Sequence, residues 1–387
     1  MYPLMDRCIM KLVNYLDQQT IGVSGEEAVI DPKAVIIGFT IDVIACTSFA
    51  TETDTNGDRT NANDPLLKHS ETIFAFNGFK IAAVFALPRR VLNLLNITTW
   101  FDQNSFDYFI NLTKQILQQR KLEEGTSTKR NDFVQLMVDS FVYDDALQNT
   151  DYSKLTASAN EDFSETKSLE TSDSFQPTKH KLSEDDIIAQ SILFFAAGFE
   201  TTASTLTNCL FELAKYPDVQ NKLFEELNSN LADFLTDEAM TSQEYFEIVV
   251  NGSPYLDATI KETLRRYPPA IRIERRITSE KGYTISGVHL PKDTLIEISA
   301  YAVHHDSEYF PEPFVFKPER FLPENRQNLK PYSYIPFGQG PRNCIGMRFA
   351  YQEIKLFLAK VIRRYRFSTT PNTPQKLSFK PGSLLLN

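Results

Sequence analysis

The chain has 387 residues, of which 42% are hydrophobic, and carries a formal net charge of −10 with no Lys/Arg block that would read as a nucleic-acid tail. Its four cysteines, Cys8, Cys46, Cys209 and Cys344, are scattered without a Cys-x-x-Cys pair, which excludes a disulfide scaffold and a zinc finger and points to a reducing compartment. No run of 18 apolar residues reads as a membrane span, and the N-terminus lacks the apolar stretch of a signal peptide.

In chain order, Leu4, Met5, Ile9, Leu12, Val13 and Leu16 recur at helical spacing. After a break at 22–31, Ala34–Phe49 is apolar on nearly every side and predicts a buried helix, with Cys46 in the core. Residues 51–67 are polar and predict a loop. Residues 70–105 are rich in aromatic and aliphatic groups (Phe74, Phe76, Phe79, Phe85, Leu95, Trp100, Phe101) but broken by Gly78, Pro88 and Asn96. They read either as interrupted core or as an apolar cover over a cavity that touches a membrane surface. Helices are expected over Phe106–Lys121 and Asp132–Val142, and residues 143–182 as a disordered or surface linker poor in large apolar groups.

Ser183 with Asp186 three residues on marks the start of a long helix ending near Lys215. Its middle reads Ala197-Gly198-Phe199-Glu200-Thr201-Thr202. A mid-helix Gly costs about 1 kcal/mol relative to Ala and needs a reason, such as close approach of a flat ligand. Thr201 alone could equally be a residue that bonds back to a carbonyl one turn earlier. Helices follow at Asp218–Leu231 and Tyr255–Tyr267, the latter carrying Glu262 and Arg265 on one face. Residues 270–298 alternate as short strands, His304 and His305 read as surface histidines, and the prolines of 306–336 predict an irregular meander. Met347–Arg364 is a helix, followed by a strand at Tyr365–Ser368 and a hairpin to the C-terminus. The fold class is therefore mainly α with small β-sheets.

Phe337-Gly338-Gln339-Gly340-Pro341-Arg342-Asn343-Cys344-Ile345-Gly346 holds the exceptional chemistry. Cys344 stands at the expected N-terminus of the last helix, where the dipole favours a thiolate, with a cation two residues away at Arg342. Gly338 and Gly340 let the backbone turn tightly, and Pro341 stiffens the turn. Taken without other motifs, a buried free cysteine beside a Gly-rich turn would read similarly.

This loop resembles the haem-thiolate loop of the cytochrome P450 family, Phe-x-x-Gly-x-Arg-x-Cys-x-Gly. The Ala197–Thr202 stretch is similar to the family's oxygen-activation helix, Ala/Gly-Gly-x-Asp/Glu-Thr-Thr/Ser. Glu262-Thr263-Leu264-Arg265 and Pro318-Glu319-Arg320-Phe321 resemble its Glu-x-x-Arg and Pro-Glu-Arg-Phe segments. The resemblance implies haem b with Cys344 as iron ligand, and Arg342, Arg275, Phe337, Gly338 and Gly346 about the cofactor. It implies that Glu200 and Thr201, with Gly198 and Ala197, serve proton delivery to dioxygen, and that Glu262, Arg265 and Arg320 form one network. Phe195, Ala196, Ala270, Ile271 and Ser383 would line the substrate cavity.

The implied activity is insertion of one oxygen atom into an apolar organic substrate, as in the xenobiotic-oxidising microsomal branch. Electrons would come from NADPH-cytochrome P450 reductase, with cytochrome b5 as an optional donor, at the cytoplasmic face of the endoplasmic reticulum membrane. Lys355, Lys360, Arg363 and Arg364 form either a docking face for the reductase or a merely solvated basic face. The resemblance treats 1–387 as a single domain that lacks the family's membrane anchor and first quarter. The Trp-x-x-x-Arg motif is absent, since Trp100 is followed by Asn104 at the fourth place. An N-terminally incomplete chain is therefore expected. A reductase-independent haem-thiolate isomerase and a non-functional fragment are the alternatives.

Overall fold

The first apolar stripe becomes helix α1, Tyr2–Thr20, with Met5, Cys8, Ile9, Leu12, Val13 and Leu16 buried. This computed structural model describes residues 1–20, 27–49, 51–53, 55, 65–73, 83, 87–94, 102–123, 132–143, 179–236 and 239–379. The described residues form two compact units, 1–203 and 204–379.

In the first unit α1 packs on α2, Pro32–Phe49. That helix is long and apolar enough to cross a membrane, yet 78% of it is buried inside the protein, so it serves as a core helix. Its buried Asp42 accepts the Thr53 hydroxyl at 2.6 Å and the Thr55 N–H at 3.1 Å, which fastens the segment that follows. Helices α3 (Pro65–Ile73), α4 (Arg89–Leu94) and α5 (Gln103–Glu123) come next. The aromatic stretch expected to form a cover, from Phe74 to Phe101, lies at its seven named positions outside the described residues.

Asp132 caps α6, Phe133–Asp139, by accepting the Gln135 N–H at 2.8 Å, while its other oxygen pairs with Arg120 of α5 at 2.6 Å. The helix ends earlier than its expected limit at Val142. Phe141–Tyr143 is instead strand β1, antiparallel to β2, Lys179–Lys181, which belongs to the expected linker. Residues 144–178 of that linker lie outside the described residues.

Helix α7, Glu184–Lys215, starts as the sequence predicts. The Asp186 N–H donates to the Ser183 hydroxyl at 3.1 Å, and the Ser183 N–H donates to the Asp186 carboxylate at 3.2 Å. In the first unit its Phe195 lies 4.5 Å from Phe109 and 5.8 Å from Phe49, ring centre to ring centre.

The second unit is built on α8 (Pro217–Asn230), α9 (Gln243–Asn251) and α10 (Pro254–Arg266). Helix α9 was not expected. Its signals are the Ser242 hydroxyl, which accepts the Tyr245 N–H at 3.1 Å, and the i, i+4 pair Tyr245 and Val249, both buried. Strand β3 (Ile273–Arg276) pairs antiparallel with β6 (Leu295–Ile298), and β4 (Tyr283–Ile285) with β5 (Val288–Leu290). The second hairpin turns through Ser286 and Gly287, both at positive φ (48° and 81°), the sense that suits strand twist. Helix α11 (Ala300–His304) leads into the proline-rich meander, and α12 (Met347–Arg364) packs against α8, α9 and α10. Among the described residues no strand forms at 365–368. The Gln220 side chain instead takes both backbone groups of Phe367, each at 2.9 Å, as a strand neighbour would.

Candidate functional site

The cysteine loop is tied to itself and to the start of α12. The Cys344 N–H donates to the Phe337 carbonyl at 2.8 Å, Asn343 N–H to Gly340 at 2.9 Å, and Gly338 N–H to Ile335 at 3.1 Å. Gly338 and Gly340 hold φ of 74° and 80°, so it is backbone conformation that calls for glycine here; a Cβ on Gly340 would meet nothing within 4 Å. The loop delivers Cys344 three residues before Met347, the first residue of α12, as the sequence predicts.

Cys344 is the exposed cysteine, whereas Cys8, Cys46 and Cys209 are buried. Its protein surroundings push the thiol above its ordinary value through desolvation, and the Gly346 N–H, which donates to Sγ, opposes this. Arg342, the cation two residues away in sequence, is not among the groups that lower it. A bound metal ion would do so outright. Among the described residues no cluster of three His, Cys, Asp or Glu could hold a bare metal ion. A single thiol therefore suits a metal that brings its remaining donors in a prosthetic group. Arg342 is exposed and engages no acidic partner among the described residues. Arg275, exposed on β3, donates to the Glu274 carbonyl at 2.8 Å. Phe337 packs its ring 5.3 Å from Tyr351 of α12.

Glu262, Arg265 and Arg320 come together as expected. Arg265 grips both carboxylate oxygens of Glu262, Nε at 2.8 Å and Nη2 at 2.9 Å, and both side chains are 0% exposed. Arg320 lies 3.5 Å from the same carboxylate, and the Lys317 N–H donates to it at 2.9 Å. Arg265 also donates to the carbonyls of His304 and Pro313, each at 2.8 Å. One carboxylate and one guanidinium thus satisfy meander backbone that has no regular partner.

On α7 the Thr201 hydroxyl donates to the Ala197 carbonyl at 2.8 Å, a bond back to the preceding turn. Leu193 (58% exposed) and Ala197 form an open apolar face two turns and one turn before Thr201, while Ala196 and Glu200 are half-buried beside it. Gly198 has a local reason: a Cβ there would stand 2.8 Å from Ile44 Cδ1 on α2. Close approach of the two helices is thus a reason for the glycine within the first unit, beside the flat ligand that the sequence suggests.

The remaining expectations divide. Ala270 is exposed and Ile271 half-buried, just before β3. Phe195 is 0% exposed and sits in the aromatic core of the first unit, where the sequence placed it on a cavity wall. Ser383 lies outside the described residues. Lys355 and Lys360, expected on a basic surface, are 3% and 6% exposed, because Lys355 pairs with Asp257 at 2.8 Å and donates to the Val250 carbonyl at 2.7 Å. His304 is likewise buried, not on the surface; Ser299 caps the short helix that carries it and was the signal available in the sequence.

A family model described as Cytochrome P450 matches residues 1–387. The chain is 36% identical over 360 residues to Cytochrome P450 3A7 of Homo sapiens, covering 92% of this chain and 62% of that protein. It is 35% identical over 348 residues to Cytochrome P450 3A17 of Cavia porcellus, covering 88% and 59%. With Cytochrome P450 3A2 of Rattus norvegicus it shares 33% over 385 residues, covering 98% and 66%. The chain spans about six-tenths of the length of these curated relatives.

Proposed function

Because the chain belongs to the cytochrome P450 family, we propose that it works as a haem-thiolate monooxygenase, placing one atom of O2 into an apolar organic substrate. The observation that carries this reading is Cys344, a lone exposed thiol on a glycine-turned loop at a helix start, in a chain of this family.

Haem b, when bound, supplies the oxygen chemistry, and thiolate ligation favours O–O cleavage. Cys344 is the residue to hold the iron, as a thiolate. The Gly346 N–H directed at Sγ takes up part of the sulfur's charge and fixes its orientation. The Cys344 N–H, bound to Phe337, keeps the loop from swinging outward. Arg342 and Arg275, both exposed cations, are the candidates to bind the cofactor's carboxylates.

On α7 the Thr201 hydroxyl is oriented by its bond to Ala197, and it is the alcohol proposed to pass protons toward dioxygen. The adjacent Glu200, half-buried, is the carboxyl to exchange protons with water and renew that supply. Leu193 and Ala197 offer an apolar surface that favours an apolar substrate over water. Electrons come from a redox partner, for which NADPH-cytochrome P450 reductase is the proposed donor and cytochrome b5 a secondary one. The proposed location is the cytoplasmic face of the endoplasmic reticulum membrane.

The test is a reduced carbon-monoxide difference spectrum of the haem-loaded chain. A red-shifted Soret band that disappears in Cys344→Ala is expected; no such band in the unsubstituted chain would overturn the reading. Product formed without NADPH and reductase would instead assign the chain to peroxide isomerisation.

A further inference from the structure

His304 ends α11 at 0% exposure, and the function proposed above gives it no task. Its ring makes two backbone hydrogen bonds. Nδ1 lies 3.1 Å from the Arg265 carbonyl, and Nε2 lies 2.9 Å from the Ile335 nitrogen. A carbonyl can only accept and a backbone N–H can only donate. Nδ1 therefore carries the proton and Nε2 accepts, so one neutral tautomer is fixed. The ring also lies over Tyr334, 5.6 Å between centres and 21° from parallel.

What the two bonds join gives them meaning. Arg265 is the guanidinium that grips Glu262 and returns a bond to the His304 carbonyl at 2.8 Å. Ile335 is the residue whose carbonyl accepts the Gly338 N–H, and two residues later Phe337 accepts the Cys344 N–H. Among the described residues, the other hydrogen bonds of 335–346 stay within that segment or pass to α12. The bond from His304 is thus the polar tether between the ion cluster and the entry to the cysteine loop.

We propose that His304 is a positioning residue for the thiolate ligand: its imidazole fixes Ile335, and through Ile335 the Phe337 carbonyl that holds Cys344 to face the iron. The assignment rests on the haem-thiolate reading. Without the tether, the Ile335 N–H would be buried unpaired or would turn toward water and take the loop entry with it. Lys317 and Pro313 also bind the cluster, but in the meander well before the loop.

Two substitutions separate the bonds. His304→Gln can bring a carbonyl oxygen to the place of Nε2 and keep the acceptor for Ile335. His304→Asn is too short for that and keeps only a donor toward Arg265. Two readouts apply to the haem-loaded chain: the share of the reduced carbon-monoxide spectrum in the red-shifted thiolate band, and hydrogen–deuterium exchange at the amides of Ile335 and Cys344. In the unsubstituted chain both amides should be protected. His304→Asn should speed their exchange about tenfold and move absorbance out of the thiolate band, as expected for one lost buried hydrogen bond. His304→Gln should preserve both signals. Identical spectra and exchange in the Asn variant and the unsubstituted chain overturn the assignment. If neither variant folds, the unsubstituted chain decides by itself: a protected Ile335 amide supports the tether, and one exchanging at solvent rates overturns it. Absence of the thiolate band in the unsubstituted chain removes the function reading and this assignment with it, whereas its presence beside an unaffected Asn variant removes this assignment alone.

Discussion

Lys355, eight residues after the first residue of α12, places its ammonium 2.8 Å from the Asp257 carboxylate of α10, with its side chain only 4% exposed. Lys261 reaches the same carboxylate at 2.7 Å from one turn along α10. Lys355 thereby locks the helix that begins beside Cys344 to the helix that carries Glu262 and Arg265. Replacing it by Met leaves the stem's packing and removes the charge. The Val250 carbonyl then loses its donor and Asp257 keeps one cation of two. A loss of about 2–3 kcal/mol in urea unfolding is expected. Burial alone would raise the Asp257 pKa, but the two ammoniums outweigh it and hold the carboxyl below its usual value. The folded pKa being depressed, this pair's stabilisation is full above the ordinary aspartate range and is lost as pH falls through the depressed value. Lys355→Met should therefore also shallow the acid limb of stability against pH.

Gly198 and Ile44 make a second test, confined to the first unit. A methyl at position 198 would gain about 1 kcal/mol of helix propensity but meet Ile44 Cδ1 at 2.8 Å and Cγ1 at 3.3 Å. Gly198→Ala alone should therefore leave stability within about 1 kcal/mol of the unsubstituted chain, because the two effects oppose. Ile44→Val removes the crowding methyl. Measured against Ile44→Val alone, the double variant should be more stable by about 0.5–1 kcal/mol. A double variant less stable than either single one would show that the glycine answers to something other than Ile44.

His304 gives a pH dependence of defined sign. Burial chiefly, and the Arg265 charge next, push its pKa down to about 3. The unfolded chain takes up a proton near pH 6.5 that the folded chain refuses. Unfolding therefore binds protons between these values, and stability rises with pH from about 3 to about 6.5. Urea midpoints at pH 5 and pH 7 should differ in the unsubstituted chain, and the difference should shrink in His304→Gln, which cannot titrate.

Thr201→Ala separates proton handling from cofactor binding. The lost hydroxyl bonds to Ala197 within one helix, so stability should change by no more than about 0.5 kcal/mol. The thiolate band should remain. Oxygen consumption should uncouple from product, with a larger fraction of the consumed O2 recovered as peroxide, while Thr201→Ser recovers most of the coupling. Unchanged coupling in Thr201→Ala would take the residue out of the proposed mechanism.

Much of this was legible in residue order because it depends on neighbours in sequence. The start of α7 at Ser183 and Asp186, the positive-φ glycines of the cysteine loop, and α10 with Glu262 and Arg265 one turn apart all use contacts within a few residues. What the sequence misread depends on partners far along the chain. Lys355 looks like surface until Asp257, 98 residues earlier, is beside it. His304 looks like surface until Arg265 and Ile335 close on it from either side. No strand forms at 365–368, and the backbone groups of Phe367 bond instead to the Gln220 side chain, 147 residues earlier.

The order of residues determined the helix starts and turns, the Cys344 loop with its helix start, and the family, since short-range spacing sets local conformation and carries the motif. Tertiary structure alone decided which charged and polar groups are buried and what they satisfy. A lysine, a histidine or a glutamate pays the cost of leaving water only where long-range packing brings its partner, and no spacing along the chain records that. At Cys344 the sequence shows a helix start and a cation two residues away; the fold adds the Gly346 N–H at the sulfur and the His304 bond to Ile335 at the loop entry.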